Sequence, residues 1–152
     1  MKTDELKCTD LIIGNLIDYF GDIIKVDVIE IFDGKERVGG ETKDGRRVFD
    51  KPTYFEPIEL TEEFAKKHIK DLKEEIIVGN ITSCLLKNEK ISVIFADGKM
   101  YRLVVYNYED DNQFHIDIKY LHQLQNAYYC LTNEELEIEL WKELYFGLFY
   151  LG

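Results

Sequence analysis

Three Asp-Gly dipeptides, Asp33-Gly34, Asp44-Gly45 and Asp97-Gly98, constrain this chain more than any other feature of it. A type I′ turn requires positive φ at both central residues, and Asp-Gly supplies that cheaply, so each dipeptide predicts a tight hairpin where apolar runs flank it. "ISVIFA" and "KMYRLVVYNY" flank the third of them, which makes it the best-defined hairpin in the chain. Upstream, "DLIIGNLIDYFGDIIKVDVIEIF" over residues 10–32 reads as two strands. Leu11, Ile12 and Ile13 lead into a turn or bulge at Gly14-Asn15, and Gly21-Asp22 breaks the run again. Ile falls on both faces of the second strand, which predicts cover on both sides for part of its length. "KERVGGETK" is polar and is expected to bend or bulge at Gly39-Gly40, and "RRVFDKPTYFEPI" is expected to be a strand ending near Pro52 or Pro57. Several short, bent strands within about 50 residues predict a small barrel-like part of SH3-like type.

Thr61 in "LTEEFAKKH" is a helix cap, with Phe64, Ala65 and His68 on one side and Leu60 placed as a staple against Ala65. The helix is expected to run to about Lys70 or Lys73. The stretch from Glu74 to Ile118 then reads as four or five antiparallel strands. Residues 119–131 follow helical spacing: Tyr120, Leu121, Leu124, Ala127, Tyr128 and Leu131 form an apolar face, and His122, Gln125, Asn126 and Tyr129 share the opposite one. Thr132 and Glu135 fit a capping box for a further helix, although "ELEIEL" also alternates like a strand; helix is the preferred reading for 134–150. The expected fold class is α+β: a bent, barrel-like part over 1–58, then a connecting helix and an antiparallel sheet with a packed C-terminal helix over 59–152, folding as one cooperative unit.

The stretches "DLIIGNLI", "FEPIELTEEF" and "IKYLHQLQNAYYCLTNEELEI" together resemble a family of small phage and prophage proteins of Bacteroides-type bacteria, whose pattern runs roughly "RIGN", "PIPLTEE" and "KYVHQLQNLYFALTGEEL". The last element carries most of the resemblance. The chain departs at Ile12-Ile13, at Asn133 where the pattern has Gly, and in the aromatic tail "WKELYFGLFYLG". The resemblance implies a phage setting and carries over no catalytic residue.

Charge narrows the partners. The net charge is −11, and residues 109–152 hold −7 of it, with nine acids against two bases. Phosphate backbones and anionic membranes recruit clustered Lys and Arg, so neither nucleic acid nor membrane is an expected partner. An acidic surface suits a basic protein partner or serves solubility alone. Cys8, Cys84 and Cys130 are odd in number and lack CxxC spacing, and "MKTDELKCTD" has no apolar secretory core, so a reduced cytoplasmic setting is expected.

No nucleophile elbow, phosphate-binding loop or dinucleotide fingerprint is present in the sequence. His68, His115 and His122 lack metal-ligand spacing, so no metal, cofactor or catalytic residue is assigned. The leading functional reading is a non-catalytic phage accessory protein that binds a host protein, as an inhibitor of a bacterial defence system. Its candidate contact residues are Trp141, Tyr145, Phe146 and Phe149, with the acids Glu134 and Glu137. That aromatic tail either completes the core or makes a host-protein or homo-oligomer contact. The face of His122, Gln125, Asn126 and Tyr129 either binds a partner or satisfies irregular backbone, the latter being preferred because neutral amides both donate and accept. A second reading is a binder of a small nucleotide signal, using Arg46, Arg47 and Arg102; a third is a phage structural or assembly component.

Overall fold

In the computed structural model, Asp33-Gly34 and Asp97-Gly98 each turn on two left-handed residues, with φ of 51° and 74° in the first and 53° and 78° in the second. The structure describes residues 5–87, 90–107 and 112–139. Asp44-Gly45 behaves differently from the sequence expectation. Only Gly45 has positive φ, at 84°, and the loop is closed by the Thr42 amide on the Arg46 carbonyl at 2.9 Å. That is the longer hairpin loop in which one left-handed Gly completes the turn.

The architecture is α+β with antiparallel sheets. The first sheet has β1 (Leu16–Tyr19), β2 (Asp22–Phe32), β3 (Lys35–Thr42), β4 (Arg47–Asp50) and β5 (Phe55–Glu56), in the order β4-β3-β2-β1-β5. Helix α1 spans Glu62–His68. The second sheet is a meander of β6 (Lys73–Val78), β7 (Ile81–Leu85), β8 (Ile91–Ala96), β9 (Lys99–Asn107) and β10 (Asn112–Ile116), in the order β10-β9-β8-β7-β6. Helix α2 spans Leu121–Thr132.

"KERVGGETK" is a strand and not a polar bend. Gly39 and Gly40 are there for space: a Cβ on Gly39 would lie 2.9 Å from the Phe49 ring, and one on Gly40 would collide with Ile24 and the Lys25 carbonyl. The backbone irregularity falls instead on β2, as a bulge between Val26 and Val28. A bulge of this kind bends the strand and re-aims its side chains, which is how both faces of β2 carry Ile. The run Leu11–Ile13 is likewise not a strand; it follows a short 3-10 turn at Cys8–Asp10, and β1 starts only at Leu16.

The chain forms two units. One holds residues 1–59 and 120–136; the other holds 60–119 and 137–152. Helix α2 thus belongs to the first unit. In that unit Ile17, Ile24, Val26, Val38 and Phe55 pack with Leu6, Cys8 and Leu11 from the segment before β1. In the second, Leu60, Ala65, Cys84, Val93, Phe95 and Leu103 are fully buried. Thr61 caps α1 by accepting the Phe64 amide at 3.1 Å. The helix stops at His68, short of Lys70, because Ile69 turns extended and bridges to Ile138. Residues 133–139 are not helical: Asn133 caps α2 with φ of 60°, and the only β-pairing among them is the Ile138 bridge to Ile69. Thr132 serves the end of α2, donating to the Tyr128 carbonyl at 2.7 Å, and opens no new helix. Cys130 is exposed, unlike Cys8 and Cys84. No helix among the described residues is long and apolar enough to cross a membrane.

Candidate functional site

The polar face of α2 is built into the first unit. Before β1 the chain runs irregularly through Asp10–Asn15, where, among the described residues, only the Gly14 amide and the Asn15 carbonyl bond to a strand, both at Val26 of β2. Gln125 bridges the junction with β1: its side-chain oxygen accepts the Leu16 amide at 2.9 Å, and its nitrogen donates to the Gly14 carbonyl at 3.2 Å. Asn126 donates to the Asp10 carbonyl at 3.1 Å and accepts from the Asn15 side chain at 2.8 Å. Asn15, only 1% exposed, also accepts the Ile12 amide at 2.9 Å. A buried amide with every group partnered fixes geometry, whereas an unpartnered one would cost stability. The "IGN" and "HQLQN" stretches that carry the family resemblance thus interlock side chain to side chain.

The other two residues of that face part company. His122 is 3% exposed, stacked on the Tyr120 ring at 5.9 Å. Burial pushes its pKa down, with the Asp10 charge opposing, and its Nδ1 has no hydrogen-bond partner among the described residues. Tyr129 lies exposed. Of the predicted apolar face, Tyr120, Leu121, Leu124 and Tyr128 are buried, Ala127 is half-buried and Leu131 is exposed.

The basic candidates do not gather an anion site. Arg46 pairs with Asp22 at 2.7 Å, and Arg47 grips both oxygens of Asp27, holding that carboxyl below its usual range. Arg102 belongs to the second unit, where it meets His115 Nδ1 at 2.9 Å and lies over the Tyr101 ring at 5.1 Å. Glu137 is engaged by Lys70 at 3.1 Å, with Lys87 at 3.8 Å, and these cations lower its pKa. Glu134 is exposed, its amide held by the Thr132 hydroxyl at 3.1 Å. Trp141, Tyr145, Phe146 and Phe149 lie outside the described residues. Among the described residues no cluster of His, Cys, Asp and Glu has metal-binding geometry.

A feature the sequence did not single out stands at the end of β1. Phe20 and Gly21 form its turn with φ of 50° and 93°. Left-handed backbone is uncommon for a bulky aromatic and carries strain. The ring is not buried in return, since Phe20 is 73% exposed. It stands edge-on to Tyr19 at 4.7 Å and faces Tyr54, 48% exposed, at 6.2 Å. Tyr19 packs at 4.9 Å on the buried Phe55, and its hydroxyl donates to Asp50 at 2.9 Å, which raises its pKa. On the neighbouring position Asp18 and Glu56 are directly opposed across the β1–β5 pair. "YFGD" announced a break at Gly21, but nothing in it distinguished a Phe in the turn from a Phe ending the strand. Comparison of the chain with family models, with curated proteins and with solved structures gives no match.

Proposed function

We propose that this chain is a non-catalytic phage accessory protein that works in the host bacterial cytoplasm by binding a host protein, as an inhibitor of a bacterial defence system. The observation that carries the binding role is the exposed aromatic pair Phe20, in the turn after β1, and Tyr54, which ends a short 3-10 turn next to the buried Phe55. Aromatics anchored on a fixed scaffold and left in water suit a protein contact, because they bury large area at little entropic cost. The phage setting rests on the sequence resemblance, which implies no activity; the inhibitor role is inferred from small size, acidity and that setting. We also read the first sheet, with its five short strands and bulged β2, as a small barrel of SH3-like type.

The test is affinity capture. Tagged protein incubated with lysate of a Bacteroides-type host is expected to retain one specific host protein at micromolar concentration. Retention of nothing above an untagged control overturns the proposal. The nucleotide-signal reading draws no support from Arg46 and Arg47, whose guanidinium groups are taken by Asp22 and Asp27.

A further inference from the structure

We infer that the Phe20–Tyr54 end of the first sheet docks a Lys- or Arg-bearing segment of a partner protein, with the cation held between the aromatic rings and the carboxylates around them. The inference names the partner chemistry of the surface proposed above and rests on that reading.

Phe20 occupies a position that Gly or Asn would fill with less strain, so the turn itself does not call for the ring. What the ring provides is an exposed π-face next to Tyr19 and Tyr54. Acids surround it. The Asp18 side chain accepts the Gly21 amide at 2.9 Å, which puts a carboxylate against the turn that carries Phe20. Glu56 stands opposite Asp18 on β5, the outer strand of the sheet. Asp50 sits on the Tyr19 hydroxyl. Like charges directly opposed on paired strands repel. Neither Asp18 nor Glu56 has an ion-pair partner among the described residues, whereas Asp22 and Asp27 of the same sheet are each met by an Arg. An incoming cation would offset that repulsion and gain the attraction of the ring faces, which is strongest for Arg and Lys.

Charge selects among occupants. A second copy brings the same carboxylates, and the chain carries −11, so self-association at this patch is opposed. A lipid surface or a nucleic acid is anionic and is opposed for the same reason. A cationic protein segment is the class that complements both the rings and the acids.

The experiment uses the full chain, labelled for NMR, and a short end-blocked peptide of alternating glycine and arginine. Titration is expected to shift the amide signals of Asp18–Gly21 and Tyr54–Glu56. Phe20→Asn keeps the turn and should raise the melting temperature while weakening the peptide by about tenfold. Asp18→Asn with Glu56→Gln should weaken it similarly, and Asp33→Asn, which removes one charge at the far end of β2 in a turn that Asn also fits, should leave it within about twofold. Shifts spread over all acidic segments, or binding that follows net charge alone and ignores Phe20→Asn, would overturn the inference. A host protein captured equally by wild type and Phe20→Asn would leave host binding standing and remove this site. Site-specific peptide binding with no captured host protein would do the reverse.

Discussion

Gln125 shows what a single side chain does in this fold. It partners the Leu16 amide and the Gly14 carbonyl, where the irregular Asp10–Asn15 segment enters β1. Replacing it with Leu keeps helical propensity but strands both groups, and a buried group left without its partner costs about 1–3 kcal/mol. We expect Gln125→Leu to lower the unfolding free energy measured in urea by that amount, with Tyr129→Phe, on the exposed side, within about 0.5 kcal/mol of wild type. His122 gives the pH dependence. Its folded-state pKa is depressed by burial, so the unfolded chain takes up a proton more readily than the folded one. Stability from this residue is complete above the unfolded value of about 6.5 and is lost as pH falls below it. Denaturation midpoints between pH 8 and 5 should fall on the acid side, and His122→Phe should flatten that part of the profile. A slope unchanged in the variant would assign the acid loss to other groups. The amide pattern on "HQLQN" was legible in the sequence as backbone satisfaction. That His122 is buried was not, because its burial depends on tertiary packing; Asp10, whose charge reaches it, is more than a hundred residues away in the chain.

At the scale of elements, the β2–β3 hairpin shows how one dipeptide can be read for the wrong reason. Gly39-Gly40 suggests a bend or bulge from composition alone; a bulge does fall opposite them on β2, yet both lie in strand β3, where close neighbours leave no space for a side chain. Gly40→Ala would force its methyl into Ile24 and the Lys25 carbonyl. Overpacking of that kind costs about 1–3 kcal/mol, more where backbone must move. The expected outcome is a lower midpoint with unchanged fold by circular dichroism, and a variant as stable as wild type would refute the packing role. The Asp-Gly turns were legible because their demand is local: φ is set by the two residues themselves. The stop of α1 at His68 and the lack of helix over residues 133–139 were not, since the Ile69–Ile138 bridge pairs distant positions.

The whole molecule is divided by contacts and not by chain order. The first unit needs residues 120–136, which arrive after the entire second sheet has been made. A fragment of residues 1–59 lacks Gln125, Asn126 and the buried Leu121, Leu124 and Tyr128. Its fingerprint NMR spectrum is expected to be that of an unfolded chain, with dispersion recovered on adding a peptide of residues 120–136. A fragment that folds unaided would show that α2 is an attachment to this unit and not part of its core. The arrangement also implies slow folding, because long-range closure must precede the amide cluster.

By itself the sequence determined the antiparallel α+β class, the Asp-Gly hairpins, the Thr61 cap and the apolar stripe of α2, all of which follow from local dihedral preference and side-chain period. Only the tertiary structure decided which sheet α2 joins, which polar groups it satisfies, and that Phe20 stands in a strained turn among uncompensated acids. Those outcomes depend on which distant surfaces meet, and on the burial and charge that result. Neither quantity exists until the chain has closed on itself.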